Sequence, residues 1–203
     1  MQSELSVRTA VEADIPQLSK LIDASVRALQ AKDYSASQIE RALQTVFGVD
    51  SQLIADGTYL VVEAEPAEES ASPGEIVREG EPRREPALAG CGGWSRRKKL
   101  YGGDTWTAQR FELLDPAVDA AKIRAFFIAP EFARMGVGTR ILQACEEAAF
   151  AEGFRRFEMG ATLTGVKLFG ARGYVEKERI ALDVGGGESI EVVRMEKRVA
   201  ATL

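Results

Sequence analysis

Apolar and polar side chains first alternate at residues 5–9, Leu-Ser-Val-Arg-Thr, the period-two pattern of a half-buried strand. The period then lengthens. Ile15, Leu18, Leu21, Ile22 and Leu29 recur at helical spacing and predict a helix, with Asp14 placed to cap it and Pro16 in its first turn. A second helix is predicted from Ser35, which has capping-box spacing with Gln38, and Ile39, Leu43, Val46 and Phe47 form its apolar face. Residues 58–63 and 87–94 read as two strands that pair with each other. Residues 64–86, between them, carry four prolines and many charges. So few apolar side chains cannot offset the entropy of ordering, and a mobile insertion is expected.

In the second half of the chain a strand at 123–128 runs through Pro130 into a glycine-containing loop. A helix follows, with its apolar face at Ile141, Leu142, Cys145, Ala148 and Ala149. Next come a strand at 157–160, a short helix near 165–171 and two closing strands at 175–182 and 190–198, joined by the hairpin signal Gly185-Gly186-Gly187-Glu188. Strands lie before and after one strand-to-helix crossover. The expected class is α/β (α+β), a mixed and mostly antiparallel central sheet flanked by helices, in a single domain over residues 1–203. Residues 24–50 and 95–121 are left as segments able to vary around a substrate, and the second contains the basic run Arg96-Arg97-Lys98-Lys99.

Composition narrows the chemistry. A formal net charge of −5 argues against general nucleic-acid binding, and no apolar run has transmembrane length. No charged-then-apolar start resembles a signal peptide, and two cysteines suit free buried thiols in a reducing compartment, so a cytoplasmic location is expected. Histidine is absent, which excludes His-based triads and His-ligated zinc; two cysteines alone do not make a structural zinc site, so no metal is expected.

The Gly136-Val137-Gly138 turn opens a helix, where unpartnered N–H groups and the helix dipole favour an anion such as phosphate. A dinucleotide fingerprint fails, because Ile141 stands where its third glycine belongs. A P-loop also fails: Gly165 and Gly170 have the spacing, but Ala171-Arg172 replace Lys-Ser/Thr. Ala133-Arg134-Met135-Gly136-Val137-Gly138, after Ile128-Ala129-Pro130, instead resembles the acetyl-CoA motif R/Q-x-x-G-x-G/A of GNAT N-acetyltransferases. Ala133 departs from the usual Arg or Gln, with Arg134 one step later. The resemblance spans about residues 121–175 and includes the helix ending at Gly173-Tyr174.

The resemblance implies acetyl-CoA as co-substrate and direct transfer of its acetyl group to a primary amine of a small molecule or peptide. It places backbone pairing with pantetheine at Phe127 and Ile128, and the pyrophosphate on Arg134, Met135, Gly136, Val137, Gly138 and Thr139. Thr139 reads equally as a plain first-turn helix residue. Phe169 stands where the family's thiolate-protonating tyrosine lies, so the thiolate leaves without a protein acid or another group, such as Tyr174, substitutes. Glu158 is the candidate base if its strand turns it to the cleft rather than to solvent. Arg124 is a candidate anion contact or a surface strand residue, and Tyr34 and Trp94 are candidate pocket walls or packing residues. The basic run reads as a solvated loop or as a contact to the 3′-phosphate, an acidic substrate or a nucleic acid, and Tyr101-Gly102-Gly103-Asp104 as a substrate lid. A non-catalytic acyl-CoA-binding module and transfer of a larger acyl group are the alternative readings. No membrane partner is expected, and dimers of such folds form through the closing strands.

Overall fold

The computed structural model describes residues 5–64, 86–98, 100 and 112–199. Seven strands form one sheet: β1 (Leu5–Thr9), β2 (Tyr59–Ala64), β3 (Ala87–Ser95), β4 (Ala121–Ile128), β5 (Arg156–Thr162), β6 (Val175–Gly185) and β7 (Glu188–Arg198). Their spatial order is β1-β2-β3-β4-β5-β7-β6, and every neighbouring pair is antiparallel except β4–β5. Helices α1 (Ile15–Leu29), α2 (Ala36–Thr45), α3 (Ser51–Ala55), α4 (Val137–Ala151) and α5 (Leu163–Gly170) complete the fold. The mixed, mostly antiparallel sheet expected from the sequence is therefore the one observed. The expected insertion at 64–86 and the Tyr101–Asp104 lid fall almost wholly outside the described residues.

Local chemistry explains most element ends. Ser35 Oγ accepts the Gln38 N–H at 3.2 Å and Gln38 Oε1 accepts the Ser35 N–H at 2.8 Å, the reciprocal box expected at the start of α2. Asp14 does not cap α1. Its carboxylate accepts the Val11 N–H at 2.8 Å, closing the turn before the helix, and pairs with Arg8 at 2.7 Å. The Arg8 guanidinium holds this carboxyl below the usual aspartate range. Helix α3 was not expected; Asp50 caps it by accepting the Leu53 N–H at 3.2 Å. The closing hairpin extends further than its apolar pattern, because Gly186 and Gly187 at φ +65° and +78° form the two-residue turn.

Both faces of the sheet are covered. Val62, Ile141, Leu142, Phe154 and Phe157 pack on the α4 side, and Leu18, Ile22, Ile39, Leu53 and Val192 on the α1–α2 side. Helix α4 approaches β3 closely because Gly90 and Gly92 lack side chains. A Cβ at Gly92 would lie 2.4 Å from Phe126 Cδ2 and 2.7 Å from Ile141 Cγ2. Opposite Gly92, β4 carries two residues, Ala125 and Phe126, and Ala125 sits at φ +54°. This bulge twists β4 where it must leave β5. Among the described residues no helix is long and apolar enough to cross a membrane.

Candidate active site

The parallel ladder between β4 and β5 contains three pairs, Ala121–Phe157, Lys122–Glu158 and Ile123–Met159, and then the strands separate. The gap is a cleft of about 210 Å³ that passes between the two faces of the sheet. On one face its wall is Phe126, Leu168 and Phe169; on the other it is Leu29, Phe47 and Phe127. Ala129 donates its N–H to Ala89 O at 3.0 Å, which fixes the parity of the β3–β4 ladder. By that parity Ile128 turns its backbone groups away from β3, toward the cleft, and its N–H is donated to Ser25 Oγ at 3.2 Å. Phe127 is in register with Cys91, so its backbone serves β3 while its side chain joins the α1–α2 side of the core. Of the two residues assigned to pantetheine pairing, Ile128 alone presents its edge.

Beyond Ile128 the chain makes a single helical turn at Pro130–Phe132 and passes through two left-handed residues, Arg134 at φ +68° and Gly136 at φ +85°. A left-handed arginine is uncommon outside functional loops. The Met135 N–H is used internally, donated to Phe132 O at 3.3 Å. The N–H groups of Arg134, Gly136, Val137, Gly138 and Thr139 have no acceptor among the described residues. They sit at the positive end of α4, where an anion is favoured. Val137 is buried and anchors the turn, whereas the Met135 side chain is exposed. Gly138 lies close to α5: a Cβ there would lie 2.9 Å from Leu168 Cδ2, so an added methyl would push that side chain aside. Arg172, which sequence reasoning missed, donates to Thr139 Oγ1 at 3.1 Å and so brings a guanidinium to the first turn of α4. Five amides and the Arg172 guanidinium match a pyrophosphate, and the Ile128 edge matches an amide-bearing arm. The donor set fits coenzyme A.

Several expected residues lie elsewhere. Glu158 sits in the closed part of the β4–β5 ladder, ion-paired with Lys122 and with Arg194 at 3.2 Å, outside the cleft wall. Trp94 is buried under α4, with its ring edge-on to Phe154 at 6.1 Å. Tyr34 is buried and donates to Glu191 O at 2.6 Å while accepting the Leu163 N–H at 3.0 Å. It staples the α1–α2 link to β7 and α5, and burial pushes its pKa up to about 12. Both residues are packing elements. Arg124 does line the cleft, but it is neither a surface residue nor an open cation: it is buried and ion-paired with Asp50.

Phe169 lines the cleft, edge-on to Phe126 at 5.5 Å and to Tyr174 at 6.1 Å. The Tyr174 hydroxyl is buried on the α4 side, outside the cleft wall, and burial together with the nearby Glu146 carboxylate raises its pKa far above the ordinary value. In the basic run, Arg96 pairs with Glu152 at 2.9 Å, Arg97 with Asp56 at 2.7 Å and Lys98 with Glu112 at 2.5 Å, while Lys99 lies outside the described residues. Among the described residues no group of three or more His, Cys, Asp or Glu is placed to hold a metal ion.

Comparison with known proteins agrees with this geometry. The family model described as Acetyltransferase (GNAT) family matches residues 55–174, more than half of the chain. No curated protein matches the sequence. Among solved structures, a GCN5-related N-acetyltransferase from Rhodopseudomonas palustris superposes with a TM-score of 0.63 at 21% identity, covering 98% of each chain. The PaiA N-acetyltransferase of Thermoplasma acidophilum, in complex with coenzyme A, gives 0.59 at 13% identity over 96% of this chain and 99% of its own. YncA from Salmonella typhimurium, with acetyl-CoA, gives 0.57 at 13% identity over 97% and 94%. At these identities the solved structures establish the fold, and the family model establishes the membership: the chain belongs to the acetyltransferase (GNAT) family and is an acyltransferase.

Proposed function

We propose that the protein moves the acetyl group of acetyl-CoA directly to a primary amine of a small molecule or peptide, as one catalytic domain in the cytoplasm. The observation that carries this reading is the junction of the β4–β5 cleft with the amide-lined turn at α4, which fits the two ends of one coenzyme A. Two structural neighbours were solved with coenzyme A or acetyl-CoA, which supports the same co-substrate here. The N–H groups of Arg134 and Gly136–Thr139 hold the pyrophosphate, with the Arg134 and Arg172 side chains adding charge-assisted contacts. The Ile128 edge exchanges Ser25 for the pantetheine amides.

Acetyl-CoA supplies the activated carbonyl: the amine nitrogen forms a C–N bond to it, the C–S bond breaks, and the sulfur leaves as thiolate. The chain contributes orientation and exclusion of water, through the apolar walls at Phe126, Phe127 and Phe169. Neither Glu158 nor Tyr174 reaches the cleft wall. The described residues therefore leave the proton from the amine, and the one returned to the thiolate, to solvent. This is chemically workable because a thiolate is a good leaving group. The test is thiol release from acetyl-CoA across a panel of amines, with the product identified by mass spectrometry. Release that requires an amine supports transfer. Tight coenzyme binding without turnover across the panel would make the protein a non-catalytic acyl-CoA-binding module.

A further inference from the structure

One hydroxyl reaches across from the α1–α2 face of the sheet to the strand edge where the coenzyme arm would pair. Ser25 is the polar member of the buried stripe of α1, beside Leu18, Leu21, Ile22 and Val26. It lines the cleft, and its Oγ accepts the Ile128 N–H at 3.2 Å, the one hydrogen bond of this hydroxyl among the described residues. In an unbroken sheet a carbonyl oxygen of the next strand would take such an N–H. Here β5 has already left β4 after the Ile123–Met159 pair, and the serine oxygen stands where that carbonyl would be. An arm running from the amide-lined turn of α4 approaches the same N–H from the opposite face, past Phe126 and Leu168. A donor aligned with one acceptor is poorly aligned with a second, because the bond weakens steeply away from linearity. The serine and a coenzyme carbonyl therefore compete for one N–H. Rotation of the Ser25 side chain to another staggered position withdraws Oγ without movement of the α1 backbone.

We infer that Ser25 is a positioning residue that sets coenzyme affinity: its Oγ holds the Ile128 N–H in place of a pantetheine carbonyl in the free protein, yields it when acetyl-CoA binds, and takes it back as coenzyme A leaves. This inference rests on the acetyl-transfer reading above. The contact has two effects of opposite sign. It keeps an edge N–H paired, which stabilises the free protein. It must also be broken by every coenzyme molecule that binds, so the product is held less tightly and leaves sooner. A serine present only for packing has the first effect and not the second.

The test is calorimetric titration of the intact chain with coenzyme A, for the parent, Ser25→Ala and Ser25→Cys, beside melting without ligand. Removing one protein hydrogen bond that competes with the arm is expected to lower the Kd for coenzyme A about two- to tenfold in Ser25→Ala. The same change is expected to lower the ligand-free Tm by about 1–6 °C. Coenzyme A as product inhibitor of acetyl transfer should become more potent by the same factor as its Kd falls. ADP, which carries the pyrophosphate without the arm, should compete with coenzyme A equally weakly in both proteins. Ser25→Cys is close in size and its sulfur is a weak acceptor, so it shifts the Kd in the same direction by less and carries the test if the alanine variant misfolds. A coenzyme A Kd that is unchanged or higher in a folded Ser25→Ala protein would overturn the inference, and so would an equal gain in ADP affinity. Absence of coenzyme A binding to the parent would instead remove the coenzyme reading on which it rests.

Discussion

Replacing Gly92 by alanine puts one methyl group into the contact between β3, β4 and α4. The added carbon would lie 2.4 Å from Phe126 Cδ2 and 2.7 Å from Ile141 Cγ2, against an ordinary carbon contact of about 3.5–4.0 Å. Something must move by about an ångström. Ile141 is fully buried in α4, and Phe126 is stacked edge-on to Phe169 in the wall of the cleft, so neither has open space to enter. Overpacking of this kind costs about 2–3 kcal/mol. In a chain of this size that lowers Tm by about 4–12 °C. The same displacement tilts the N-terminal turn of α4, which carries the anion-binding amides, so coenzyme A affinity measured by calorimetry falls as well. Gly170→Ala is the control. Nothing lies within 4 Å of a Cβ there, and the change is expected to be neutral or stabilising by up to about 1 kcal/mol. A Gly92→Ala protein that melts with the parent and binds coenzyme A equally well would refute the close-packing argument.

Three further outcomes follow from the buried polar groups. In urea melts, Asp50→Ala, Arg124→Met and the double variant should show a coupling energy of about 1–3 kcal/mol, because each single change strands a buried partner; additive losses would contradict the pair. Tyr174→Phe should keep kcat within about twofold of the parent, since its hydroxyl lies outside the cleft wall; a loss of about a hundredfold or more would identify it as the acid. Burial pushes the Cys91 thiol up to about 12 and raises that of Cys145 too, so the unfolded chain releases these protons first, near pH 8.5. Stability therefore falls as pH rises above about 8.5, by about 1.4 kcal/mol per unit for each thiol. The Cys91→Ala/Cys145→Ala variant should show a shallower decline in denaturant melts from pH 8 to 10, and an unchanged slope would refute the assignment.

The parts of this fold legible in the sequence are those set by local spacing. The stripe from Leu18 to Leu29, the Ser35–Gln38 box and the glycine turn at 185–187 each carry their own geometry. The amide-lined turn was legible for the same reason: the left-handed Gly136 and the first turn of α4 are contiguous in the chain. Parity across strands was not. The backbone edge of Ile128, rather than Phe127, faces the cleft because of a β3–β4 register that contains a bulge, and no local pattern in β4 announces it. Glu158 was misplaced for a related reason, since the point where β4 and β5 separate depends on pairing between distant segments. Ser25 left a fainter signal. Ser25 occupies a buried stripe position four residues after Leu21, and a polar residue there indicates either a core hydrogen bond or a cleft. Arg172 gave none, because its closeness to Thr139 arises only when α5 packs beside α4.

The central claim is that the α4 turn and the β4–β5 cleft hold coenzyme A. Thermal melting of the intact chain with acetyl-CoA, coenzyme A and ATP in parallel tests it most directly. At a ligand concentration roughly 100-fold above Kd, binding adds about 2.7 kcal/mol, which raises Tm by roughly 5–11 °C. The account predicts that rise with acetyl-CoA and with coenzyme A, and none with ATP, which lacks the arm that pairs with Ile128. No shift with either acetyl-CoA or coenzyme A would contradict it.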